Sequence, residues 1–132
     1  MEIVRVLSAS PTAPAEARSS LVPLSRSVPP DRLDDLLLVV SELVTNSVLH
    51  AGLREGEPIT LSVEGNARRV RVEVVDRGHG FTNDRGRGPT APSEEPTRGL
   101  GRGLPIVARL ADRWGIKPGS RTKVWAELSF GT

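Results

Sequence analysis

Cysteine is absent from the 132 residues, which excludes a disulfide framework, a thiolate zinc site and a cysteine nucleophile. Aromatic residues make up only 3% and tyrosine is missing, which argues against a ladder of stacking side chains for single-stranded nucleic acid. Long hydrophobic runs are absent too. The longest aliphatic stretch, Leu36 to Val40, falls far short of the roughly 18 residues a membrane span needs. The N-terminus, MEIVRVLSAS, starts acidic and lacks a basic-then-apolar signal pattern. There is no internal repeat and no basic tail. A single soluble, cytoplasmic domain over residues 1–132 is expected, with enough length for one real core.

The net charge of +2 is too small to argue for duplex DNA, whose binders carry a dense basic face. Its distribution says more. Residues 1–67 sum to −4 and residues 68–121 to +6. The positive segment also holds most of the glycines, a combination that suits a local anionic ligand.

Residues 2–7 read as a short strand, and a helix is expected from Pro14 to about Ser27. Asp31 is placed as an N-cap, with Asp34 and Asp35 in the first turn of a helix that runs to about His50 and stops at Ala51-Gly52. Residues 58–64 and 69–76 form two strands around the turn Gly65-Asn66-Ala67-Arg68. After Asp76 comes a Gly- and Pro-rich stretch of 27 residues ending at Gly103; loops that long are usually functional lids or disordered. A helix over 104–113 and a strand over 122–130 complete the order β-α-α-β-β-α-β. That order argues for an α/β two-layer sandwich with a mixed, mainly antiparallel sheet and helices on one face.

Chemistry has three candidate places. The helix 31–50 is apolar nearly all round, as a helix buried on both faces would be. Yet Glu42, Asn46 and His50 recur at i, i+4 and i+8 as a polar stripe. Either Glu42 and Asn46 edge the solvent, or they point into a polar cleft as a base and a metal ligand; magnesium, an oxygen-seeking ion, suits that pair better than zinc. The second place is Asp76-Arg77-Gly78-His79-Gly80. A carboxylate ending a buried strand can accept from an exocyclic amine such as that of adenine, and the glycines permit close approach of backbone to a flat ring. A tight turn would use the same residues. The third is the run from Gly99 through Gly101 and Gly103 into a helix at Leu104, flanked by Arg98 and Arg102. It is either an anion site of backbone amides and helix dipole or a flexible linker. A Rossmann motif should follow a strand, and no Gly-Lys-Ser/Thr occurs for a Walker A loop.

Together these segments resemble a known family. Glu42 to Ala51 (ELVTNSVLHA) resembles the N box of the GHKL (Bergerat-fold) ATPases, Asp76 to Gly80 their G1 box, and Gly99 to Val107 their G2 box. Thr122 resembles the threonine of the final box. The likeness spans about residues 2–130 and looks most like the anti-sigma factor serine/threonine kinase branch, bacterial switch proteins. It implies that Asn46 coordinates Mg²⁺ bridging the ATP phosphates and that Glu42 is the general base. Asp76 would accept from the adenine amino group with support from Thr122, while Gly78 and Gly80 shape the pocket. The backbone of Gly99, Leu100, Gly101, Arg102, Gly103 and Leu104 would wrap the phosphates, with the ATP lid in the loop 82–103. Ser47 stands where the family usually has alanine, and Arg121 precedes Thr122 where glycine is usual.

The resemblance implies a kinase that phosphorylates a serine or threonine of an anti-sigma factor antagonist and sequesters a sigma factor, commonly as a homodimer. It implies no direct nucleic-acid or membrane partner. The alternative is a nucleotide-dependent binding module of the same fold that transfers nothing. A split histidine-kinase domain is disfavoured, because no phosphoaccepting helical hairpin precedes the motifs.

Overall fold

The computed structural model of the chain describes residues 1–77 and 104–130, except the side chain of His50. The elements are β1 (Glu2–Ser8), α1 (Ala13–Ser20), a 3-10 turn (Val22–Arg26), α2 (Pro30–His50), β2 (Pro58–Gly65), β3 (Arg69–Asp76), α3 (Leu104–Leu110), β4 (Arg113–Lys117) and β5 (Thr122–Ser129). They build a five-stranded sheet in the order β1-β2-β3-β5-β4, with every pairing antiparallel. The helices cover one face. The two-layer α/β architecture is therefore the one expected, with no parallel pairing among the described residues.

Local chemistry explains several boundaries. The single helix expected over 14–27 is two elements, because Pro23 lacks the N–H that an α-helix would bond to Ser19. Asp31 is not the N-cap of α2. Pro29 occupies that position without a side-chain capping bond, Pro30 opens the helix, and Asp31 falls in the first turn, where its charge still favours the dipole. Past the end of α2, Gly52 takes a φ of +74°, the left-handed conformation glycine adopts without strain. In the β2–β3 turn the Asn66 Oδ1 accepts from the backbone N–H of Arg68 at 2.7 Å and of Arg69 at 3.1 Å.

Strand β4 corrects the sequence reading, which ran the last helix to 113. Helix α3 ends at Leu110, and the Asp112 N–H already donates to the Glu127 carbonyl at 2.8 Å, joining the chain to the sheet. Five residues with glycine at the centre gave too short an alternation to distinguish from a helix end. Gly115 lies under the Trp125 indole, and a Cβ there would meet three ring atoms at 2.8–2.9 Å. Arg32 ties this corner together. Its guanidinium donates to Asp35 at 2.9 Å, Asp112 at 2.8 Å and the Ser129 carbonyl at 3.0 Å, joining the start of α2 to the end of β5.

The core lies between helices and sheet. Ile59, Leu61 and Val63 of β2, Val70, Val72 and Val74 of β3, and Val124, Ala126 and Leu128 of β5 are buried on the helix side. Against them pack Leu36, Val39, Val40, Leu43 and Val44 of α2, which contacts α1, α3 and the sheet. Helix α2 is not buried all round, however. Leu38 is 44% and Leu49 65% exposed, so the buried surface is a wide arc and not two faces.

The open face of the sheet corrects a second reading, about charge. Arg69, Arg71 and Arg113 from the basic half lie within 3.9 Å of Glu127, and Lys123 lies 3.3 Å from Glu73. These cations are matched by carboxylates on the sheet. Part of the local basic surplus is thus committed to strand–strand pairing and not to an anionic ligand.

Candidate functional site

Four polar residues are buried among the described residues: Asn46, Ser47, Asp76 and Thr122. All four belong to one end of the fold, and strand periodicity explains two of them. Asp76 takes the next inward position after Val70, Val72 and Val74, and Thr122 opens the stripe continued by Val124, Ala126 and Leu128. The register of β3 and β5 sets Asp76 directly opposite Thr122. From α2 above, the Ser47 Oγ donates to Asp76 Oδ2 at 2.6 Å.

Asn46, next to Ser47 on the helix, is 1% exposed, and both its side-chain Oδ1 and Nδ2 are buried without a hydrogen-bond partner among the described residues. An amide so placed costs on the order of 1–3 kcal/mol of desolvation. A ligand that meets it would remove that cost. Glu42, one turn earlier and on the same side, is only half-buried. The sequence left open whether these two residues edge the solvent or enter a cleft. Packing of α2 separates them: Asn46 goes inside, while Glu42 keeps access to the surface.

The donor chemistry fits a magnesium ion at Asn46. An amide oxygen is a hard ligand, and Mg²⁺ is commonly held through one or two protein groups together with substrate phosphates. Among the described residues no three His, Cys, Asp or Glu cluster as a protein-only metal cage. Leu104 opens α3 and is buried. Gly78, Gly80, Gly99, Leu100, Gly101, Arg102, Gly103 and the expected lid lie outside the described residues, as does the His50 side chain.

The Ser47–Asp76 bond was not foreseen in the sequence. A signal for it existed, since Ser47 is a polar residue within the main apolar stripe of α2. What the sequence lacked was the partner, which is 29 positions away.

This arrangement has relatives. A family model described as a histidine kinase-like ATPase domain matches residues 7–128, and the chain belongs to that family. Within it the similarity runs to anti-sigma factors, the branch that the motifs resemble. The anti-sigma F factor of Pasteuria penetrans is 34% identical over 99 residues, covering 71% of this chain and 66% of that protein. The anti-sigma F factor of Clostridium acetobutylicum is 26% identical over 103 residues, covering 76% of this chain and 72% of that protein. The fold matches a crystal structure of RsbU and RsbW domains from Mycobacterium tuberculosis with a TM-score of 0.72 at 19% identity. That match spans 100% of this chain and 34% of the other. Among the described residues, no helix is long and apolar enough to cross a membrane.

Proposed function

We propose that the chain is an ATP-binding anti-sigma factor serine/threonine kinase that phosphorylates an antagonist protein and holds a sigma factor in the alternative complex. The observation that carries this reading is the burial of Asn46, Ser47, Asp76 and Thr122 at one end of an otherwise apolar core. The anti-sigma names of its relatives supply the class of partner.

Each residue has a role that its position supports. Asp76, an acceptor when ionised, would take the adenine amino group, with Thr122 beside it across the strand pair. Asn46 would present its Oδ1 to Mg²⁺ and its Nδ2 to a phosphate oxygen. When bound, Mg²⁺ supplies charge neutralisation for the phosphates. The backbone of residues 99–104 would wrap the same phosphates, under a lid within 82–103. Glu42, half-buried, would accept the proton of the antagonist hydroxyl as its oxygen bonds to the γ-phosphorus of ATP, the bond from that phosphorus to the β–γ bridging oxygen breaks and ADP leaves. A homodimer and a cytoplasmic setting belong to the same reading.

Incubation with Mg²⁺, ATP and an antagonist protein should yield phosphoserine or phosphothreonine by mass spectrometry. Glu42→Gln should lower that transfer by about 100-fold or more, as expected for a general base, and leave ATP affinity within about twofold. ATP binding with no transfer in the parent chain would remove the kinase assignment and leave a nucleotide-dependent binding module.

A further inference from the structure

Ser47 has no evident packing reason to be serine. It is 2% exposed inside a long helix, where alanine would fill the same space with better helix propensity. A serine in a helix interior commonly turns its hydroxyl back to the carbonyl one turn earlier. Here the only proton on that hydroxyl goes to Asp76 Oδ2 at 2.6 Å, across to a strand 29 positions away in the chain. The distance is that of a charge-assisted O–H···O⁻ bond.

Such a bond does two things to a buried carboxylate. It stops rotation of the carboxylate plane about its last torsion, and it favours the ionised form, which only accepts. A carboxylate offers about four lone-pair sites, so Asp76 retains acceptor capacity for a ligand beside its other contacts. An exocyclic amine meets that acceptor as a donor. A keto oxygen in the same place would face acceptor against acceptor. The serine proton, committed to Asp76, is not offered to it.

We propose that Ser47 is a positioning residue that makes this site select a 6-amino purine over a 6-oxo purine by holding Asp76 as an oriented, ionised acceptor. The inference rests on the reading of Asp76 as the base acceptor. With Ser47 removed, the carboxylate loses the bond that orients it and swings out of line with the amine. Affinity for the amino purine falls while that for the oxo purine is kept.

The test is calorimetric titration of ATP and inosine triphosphate, each with Mg²⁺, into the parent chain and into Ser47→Ala, Ser47→Thr and Asp76→Asn variants. The parent should prefer ATP. Ser47→Ala should weaken ATP about tenfold, the scale of a lost hydrogen bond to a charged group, and leave inosine triphosphate within about twofold. Ser47→Thr, which restores the hydroxyl, should recover the ratio to within about threefold. Adding Ser47→Ala to Asp76→Asn should lower the ratio no further, because the two act through one contact. If Ser47→Ala does not fold, Ser47→Cys, similar in shape but a weak donor, carries the same comparison. An unchanged ratio in the serine variant of a parent that prefers ATP overturns the role of Ser47 and leaves Asp76 standing. A parent with no preference for ATP overturns both.

Discussion

The helix side and the open side of the same strands handle polar groups in opposite ways. On the open side, Arg71 lies 2.8 Å from Glu73 and 2.8 Å from Glu127 and covers the Trp125 ring at 4.3 Å. Burial acts to lower the Arg71 pKa, but the hydrogen bonds it donates to Glu73 and Glu127, with the charges of those carboxylates, outweigh it and hold the guanidinium above its usual range. For Glu73 burial acts to raise the pKa, and Arg71 and Lys123 bring it below the usual glutamate range. On the helix side, Asn46 has no partner among the described residues and the four buried polar residues sit together. The lesson concerns where function is sought. A dense but matched charge network is a device of the sheet, whereas a buried unmatched amide in the core points to a ligand.

If this contrast is right, mutations on the two sides should separate binding from stability. The largest separation is expected at Asn46. Asn46→Ala should weaken Mg²⁺-dependent ATP binding by about 30-fold or more, yet lower stability by less than about 1 kcal/mol, because an unsatisfied buried amide is lost along with its volume. Denaturation and titration of the same sample measure both. A large stability loss would show that the amide is paired and would erase the contrast.

A smaller, opposite separation is expected at Glu127. Its side chain is 13% exposed and lies among Arg69, Arg71 and Arg113. Glu127→Gln should destabilise the fold by about 1–2 kcal/mol, through cations left facing one another. ATP affinity should stay within about twofold. Urea denaturation at neutral pH checks the first, and a changed nucleotide affinity would tie the open face to the site.

The smallest effect is the acid response of Glu73. Its pKa in the folded chain lies below the unfolded value, so its contribution is present above the usual glutamate value of 4.5 and is lost as pH falls through the lowered pKa. Glu73→Gln should flatten stability against pH in that acid window by at most about 1 kcal/mol, since the pair is partly exposed. Identical acid profiles for the two chains would show that the network contributes nothing there.

Much of the fold was legible because alternation survives a buried face. The expected strand 69–76 is β3 residue for residue, and the strand expected over 58–64 ends one residue later in β2. Strand β4 was hidden, since Trp114 and Ile116 around a single glycine give only one period of alternation. Charge misled in part, because a count along the chain cannot see that Arg69, Arg71 and Arg113 converge on Glu127. For the site, side-chain type and spacing singled out Asn46 and Asp76 and the family resemblance added Thr122, but neither gave Ser47 a partner.

The sequence by itself determined strands β1, β2, β3 and β5, the long helix α2, the class of nucleotide-binding motifs and the +2 charge of a cysteine-free chain. Those properties are local, set by spacing and side-chain type. Only the tertiary structure decided that Asn46 is buried while Glu42 stays half-buried, that Asp76 lies opposite Thr122, and that Ser47 donates to Asp76. Each of these depends on which strand lies beside which and on how α2 is rotated over the sheet. A hydrogen bond across 29 positions exists only once packing has brought its two ends within 2.6 Å.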